Sequence, residues 1–152
     1  MEPSPARYDE RLTAPPAWWG IAALLAVAGG LMTLPLGALP MLGGVIVAGA
    51  LAAAGVSAYG SARIRVVADS LVAGDARIPV AALGAAEVLD PEEARAWRLE
   101  KADPRAFMLL RSYVPTALRV EITDPDDPTP YVYLSTRTPQ ALAAALDAVR
   151  TG

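Results

Sequence analysis

Five polar residues in the carboxy-terminal half of the chain, Arg111, Tyr113, Ser135, Thr136 and Arg137, are the set best suited to hold an anionic group. The arginine fork presents paired donors to a carboxylate or phosphate, and neighbouring hydroxyls add hydrogen bonds. The competing reading is that charged strand faces are simply solvated. Asp124, Asp126 and Asp127 are hard oxygen donors of the kind calcium or magnesium takes, but Pro125, Pro128 and Pro130 interrupt them. No glycine or distal glutamate completes a known cation loop there, so a rigid hairpin turn is expected instead of a metal site. Lys101 is the one lysine, and Glu100 and Asp103 beside it favour its charged form. A Ser–Lys nucleophile pair therefore has no support.

Composition removes most other chemistry. The 152 residues include no His and no Cys, which excludes histidine general bases, cysteine nucleophiles, disulfides, and the zinc, haem and iron–sulfur sites built on those ligands. No catalytic residue and no cofactor is expected, and the chain reads as a non-enzyme. Thirteen basic residues stand against sixteen acidic ones, a net charge of -3, which disfavours nucleic acid as a partner.

The elements that position these residues follow from where charge is missing. From Leu12 to Ala62, 51 consecutive residues carry no charged side chain, although 19% of the whole chain is charged. A soluble helical hairpin of that length needs a polar outer face, and none is visible at any helical period. Pro35 and Pro40 split the stretch, because proline inside a helix removes a hydrogen bond and clashes with the preceding turn. Two membrane-spanning helices are predicted, about 18–34 and 41–59, each close to the roughly 20 residues a hydrocarbon core requires. Trp18 and Trp19 at one end and Tyr59 at the other suit the aromatic belt of a membrane interface. Small residues recur every fourth position, as Ala22, Ala26 and Gly30 and as Gly44, Ala48 and Ala52. Such strips suit either close packing within the hairpin or a dimer interface.

Orientation follows from the flanks. Arg7 and Arg11 precede the first helix, Arg63 and Arg65 follow the second, and the turn between carries no charge. The positive-inside bias then places both termini in the cytoplasm. Glu2, Asp9 and Glu10 near the start, and the second apolar span, argue against a cleaved signal peptide. Tyr8, Glu10 and Arg11 have two readings: docking onto the cytosolic part, or snorkelling of Arg11 at the interface.

Beyond the apolar stretch, alternation of period two marks strands. Ile64 and Val66 oppose Arg63 and Arg65, and Leu118, Val120 and Ile122 oppose Arg119, Glu121 and Thr123. Strands are expected near 62–68, 70–73, 76–80, 85–89, 106–113, 117–123 and 131–136, arranged as a meander, with the apolar run Phe107 to Leu110 in a central strand. Asp90-Pro91 opens a short helix ending near Leu99. Thr138 as N-cap and Pro139 at the first position open the last helix, whose stripe is Leu142, Ala145, Leu146 and Val149. The expected class is an α+β membrane protein: a cytosolic segment 1–16, a transmembrane hairpin in 17–60, and a β-rich domain 61–152. That domain, a small antiparallel β-barrel or sheet capped by a carboxy-terminal helix, resembles the pleckstrin-homology-like architecture.

The segments Tyr8-Asp9-Glu10-Arg11-Leu12 with Pro15 and Trp18-Trp19, Asp124 through Tyr131, and Ser135-Thr136-Arg137-Thr138-Pro139 together resemble an actinobacterial membrane family, domain of unknown function 3093, over nearly the whole chain. Val132-Tyr133 departs from the family pattern, which would place a second bulky aromatic directly after Tyr131. The resemblance implies a bacterial membrane protein and brings no catalytic residue with it.

The resulting expectation is a multi-pass protein of the bacterial cytoplasmic (inner) membrane whose partners are the lipid bilayer and a protein, with the cytosolic domain a binding or scaffolding module. The alternative is a sensor of lipid headgroups or small anionic ligands. Each helix holds six Leu, Ile or Val residues, worth about -0.3 to -0.6 kcal/mol each for insertion, so one central arginine at about +2.5 to +3.5 kcal/mol is enough to cancel the gain. Val27→Arg and Val47→Arg are therefore expected to reduce the fraction of chain that resists alkaline extraction from membranes, and an unchanged fraction in the double variant would contradict the membrane reading.

Overall fold

Proline and glycine set the limits of the two apolar helices. Helix α1 (Pro16–Thr33) opens with proline at its first position, where the missing N–H has no intrahelical acceptor in any case. At its end the Thr33 hydroxyl donates to the carbonyls of Gly29 and Gly30, both at 3.1 Å. A 3-10 turn, Leu34–Leu36, and Gly37 at φ 121 reverse the chain, the latter a backbone conformation that favours glycine. Helix α2 (Ala38–Tyr59) starts three residues before the expected 41. Pro40 falls within its first turn, where backbone N–H groups lack helical partners anyway. The computed structural model describes residues 7–151, so the first six residues of the expected amino-terminal segment and Gly152 lie outside the described residues.

Residues Thr13–Ala62 form one compact unit. Within it the small-residue strips lie at the helix contact: Ala22 and Gly30 are buried, and a Cβ added to Gly29, beside the first strip, would stand 2.5 Å from the Ala48 Cβ and 2.8 Å from the Gly44 carbonyl oxygen. The strips thus serve the hairpin's own packing, which lets two backbones approach closely. The Trp18 and Tyr59 rings stack at 5.2 Å and 17°. The outer surface stays apolar, with Leu24 and Leu51 both 70% exposed and Leu39 82% exposed. Both helices are long and apolar enough to cross a membrane.

The second unit joins the segment ending at Leu12 to everything from Arg63 onward. Its first sheet is antiparallel in the order β1 (Tyr8–Arg11), β2 (Arg63–Val67), β3 (Ser70–Ala73), β4 (Ala76–Pro79). Gly74 at φ 58 turns β3 into β4. β1 is an addition to the strands read from sequence, and it takes residues 7–12 out of the hairpin's flank and into the β unit. The second sheet runs β5 (Leu83–Leu89), β7 (Ala117–Ile122), β8 (Tyr131–Ser135), β6 (Phe107–Leu109), with β6 parallel to β8. Helix α3 (Pro91–Leu99) lies between β5 and β6 in the chain, and the Asp90 carboxylate caps it by accepting the Glu93 N–H at 2.8 Å.

The expected single antiparallel barrel is corrected to two separately hydrogen-bonded sheets among the described residues, one of them mixed. A 3-10 turn, Val80–Ala82, interrupts the meander after β4. The connection from β6 to β7 then crosses β8, which leaves β6 at the sheet's edge instead of its centre. The apolar run at β6 has a different cause: Leu109 is buried on one face, while Met108 packs against the cluster of Leu89, Ala94, Ala117, Tyr131 and Tyr133 on the other. Helix α4 (Pro139–Thr151) touches strands of both sheets and buries Leu142 and Leu146 completely. Ile64, Val66, Leu71, Leu118, Val120 and Leu134 are also fully buried in the core.

A Cβ on Gly49 would stand 3.3 Å from that of Ala26, close to the Cβ separation of a disulfide. The chain has no native cysteine. Ala26→Cys/Gly49→Cys is expected to form an intrachain disulfide under mild oxidation, seen as faster gel migration of a monomer. A crosslinked dimer would assign the strips to a partner helix instead.

Candidate functional site

The turn from β8 into α4 is where the candidate anion-binding residues gather, and an anion from the chain itself is already there. Alternation along β1 turns Tyr8 and Glu10 to one face while Asp9 and Arg11 stay exposed. Glu10 reaches the turn: its Oε1 accepts the backbone N–H of Arg137 at 2.8 Å, and its Oε2 accepts the Thr136 hydroxyl. The Tyr8 hydroxyl also donates to Oε2, at 2.8 Å, and lies 2.6 Å from the Thr138 hydroxyl. Each hydroxyl has one proton. With those of Tyr8 and Thr136 committed to Glu10, Thr138 donates to Tyr8. The Tyr8 phenol is raised above its ordinary value, first by burial and also by the neighbouring carboxylate.

The rest of the turn is satisfied internally. The Thr136 N–H donates to the Thr116 carbonyl at 3.1 Å, and the Thr138 N–H to the Thr136 hydroxyl at 3.1 Å. The Ser135 hydroxyl accepts the Arg111 N–H at 3.0 Å, and the Arg111 guanidinium donates to the Leu110 carbonyl at 2.9 Å. Tyr113 donates to the Leu12 carbonyl at 2.8 Å, and the Arg137 guanidinium lies 5.8 Å from the Tyr113 ring centre. Arg111 is thus beside Ser135, and Arg137, next to Thr136, is beside Tyr113. Ser135 and Thr136, both fully buried, spend their hydroxyls on the fold, which leaves the exposed side chain of Arg137 as the outward part of the set.

The residues expected at a membrane interface divide. Trp18, Trp19 and Tyr59 lie at the ends of α1 and α2, as read from the sequence. Tyr8 does not stand free there; it is docked on Thr138. Arg11 lies opposite Arg63 in the β1–β2 register, and Asp9 opposite Arg65. Like charges directly across a ladder repel, and Asp9 relieves this by binding the Arg63 side chain through both oxygens. That hydrogen bond holds the Asp9 carboxyl below its ordinary range.

In the Asp124–Asp127 loop, Asp124 accepts the Asp126 N–H at 3.0 Å and Asp127 accepts the Thr129 N–H at 2.9 Å. These are Asx turns joining two antiparallel strands. A cluster without a sequence expectation surrounds Trp97: Arg119 lies 4.4 Å from its ring centre, Lys101 5.2 Å, and the Tyr131 ring meets it edge-on at 5.3 Å. Arg119 is in turn bound to Glu87 at 2.8 Å. The helical spacing of Ala94 and Trp97 and the alternation of Arg119 along β7 are the signals that could have paired them.

The family model described as "Protein of unknown function (DUF3093)" matches residues 7–146. No curated protein and no solved structure matches the chain.

Hydrogen bonds to a charged group are worth about 1.5–3 kcal/mol each in stability. Glu10→Ala is expected to lower the unfolding free energy of the β unit by at least that much, and Glu10→Ala/Thr136→Val by less than the sum of its single changes, because the two share one interaction. Full additivity would show that the contact contributes nothing. Since the folded phenol of Tyr8 binds its proton more tightly than the ordinary value of 10.0, its contribution is complete below that pH and fades as pH rises through the raised folded value. Tyr8→Phe should flatten the alkaline fall in the thermal midpoint.

Proposed function

The chain belongs to the DUF3093 family, and from that premise we propose that it anchors a β module to the cytosolic face of a bacterial cytoplasmic membrane, where the module binds or scaffolds a protein without catalysis. The observation that carries the anchoring is an apolar helix pair whose large exposed side chains, among them Leu24, Val27, Met32, Ile46 and Leu51, are hydrophobic. Water does not tolerate such a surface, whereas hydrocarbon suits it, and helices satisfy their own backbones there. The pairing of β1 with β2 supports a hairpin that enters and leaves on one side, because Arg11 and Arg63, which bracket the apolar stretch, are register partners. Four arginines at those flanks, Arg7, Arg11, Arg63 and Arg65, and none in the Leu34–Leu36 turn, support a cytosolic side.

Binding is favoured over catalysis by how the polar side chains of the β unit are used. Tyr8, Ser135, Thr136 and Thr138 hold the fold, and Lys101 sits over Trp97. Two sheets crossed by a carboxy-terminal helix also fit the pleckstrin-homology-like reading, although a fold by itself assigns no activity.

Reporter fusions test the anchoring. Alkaline phosphatase is expected to be inactive at the carboxy terminus and active when inserted at Gly37, with green fluorescent protein showing the reverse; activity of phosphatase at the carboxy terminus would overturn the orientation. For the scaffold role, crosslinking in intact cells is expected to trap one stoichiometric protein, whereas turnover of a substrate would overturn it.

A further inference from the structure

We propose that a groove between α3 and the end of β6 is the docking site for an extended acidic protein segment, which adds as a strand beside β6. The proposal rests on the reading of the β unit as a protein-binding module and names the partner's chemistry. The groove has a volume of about 310 Å3 and is lined by Arg95, Arg98, Leu99 and Leu110.

Three features converge on that occupant. Arg95 and Arg98 are three residues apart on α3, hence on one helix face, and both border the groove. Among the described residues neither makes an ion pair or hydrogen bond, although Arg63, Arg105, Arg119 and Arg150 all have carboxylate partners. Glu92, within helical reach of Arg95, makes no ion pair with it. Two guanidiniums side by side repel, and a carboxylate between them removes the repulsion and gains charge-assisted hydrogen bonds.

The second feature is apolar. Leu99 is 67% exposed and lines the groove together with Leu110. An apolar side chain in the groove would cover both leucines, so the occupant carries apolar and acidic residues together. The third feature is the sheet edge. β6 pairs with β8 on one side only, and the backbone groups on its other side form a template for an added strand. A free carboxylate or phosphate meets the first feature alone, and a lipid meets the first two. An extended peptide meets all three, since its alternate residues can send carboxylates to the arginines while its backbone pairs with β6.

The test uses the full chain in detergent micelles and a fluorescein-labelled octapeptide of alternating glutamate and valine, followed by anisotropy. Saturable binding is expected, weakened about tenfold or more by R95E/R98E and by R95Q/R98Q, and weakened also by Leu99→Asp, a change at an exposed site that spares the fold. The lysine–valine counterpart should not bind. Equal binding by the arginine variants, no binding at all, or preference for phosphatidylglycerol vesicles over the peptide would overturn the groove. Recovery of the same crosslinked protein from wild-type and R95E/R98E cells would refute the groove and leave the scaffold reading intact. Binding of the peptide together with no crosslinked partner would refute the scaffold reading instead.

Discussion

Some forty residues in two helices have no charged group and no polar face, and everything else in the chain is arranged around that constraint. An apolar surface of this kind is stable only when removed from water. The contact between α1 and α2 removes one side of it, through glycine and alanine that let the backbones meet, and leaves the longer side chains pointing outward. A soluble hairpin would put the leucines in the seam and charges outside. This one does the opposite, as helix pairs in lipid do, where small residues favour association and large ones gain nothing by facing inward.

The β unit answers a second demand, that a chain interrupted by a hairpin close again on itself. Residues before α1 and after α2 become neighbouring strands, so β1 needs the hairpin to return, and the core sheet needs β1 as its edge. Four residues are a short strand, and β1 compensates with polar contacts at long sequence range. Glu10 binds a turn more than a hundred residues away, and Tyr8 reaches the start of α4. The turn holds the Glu10 carboxylate with the Arg137 N–H and the Thr136 hydroxyl, donors it would equally offer an anionic ligand. Here the ligand is the chain's own amino-terminal segment, which makes the same chemistry structural.

How much of this was legible in the sequence depended on whether the signal was local. The starts of α3 and α4 were, because Asp90-Pro91 and Thr138-Pro139 are helix starts that act within one turn. The apolar helices were legible from composition, and the small-residue strips from spacing, although spacing alone kept a dimer interface as the alternative to hairpin packing until Gly29 was seen against Ala48. β1 escaped because Tyr8-Asp9-Glu10-Arg11 alternates without apolar residues, so its inward face is recognisable only once Thr136 and Thr138 stand opposite. The barrel failed for a related reason: period two reports a strand's faces and says nothing of its neighbours. Phe107 to Leu110 looked central because both faces are covered, and covered faces do not exclude an open edge. Of the candidate polar set, the nearness of Arg111 to Ser135 and of Arg137 to Tyr113 has no local signal, and Glu10, which binds Thr136 and the Arg137 N–H, was read as a docking residue without its partner. Arg95 and Arg98 carried no sequence signal beyond helical spacing; that neither makes an ion pair or hydrogen bond among the described residues is visible only in three dimensions.

The account stands or falls on where the apolar hairpin resides. The most direct measurement is sedimentation of the intact, freshly expressed native chain, fractionated from cells without any amphiphile and compared with the same preparation in mild detergent. The account predicts that the chain stays with the membrane pellet and enters solution only with detergent, with the β unit folded. Recovery of a folded, freely dissolved monomer from the amphiphile-free supernatant would contradict it.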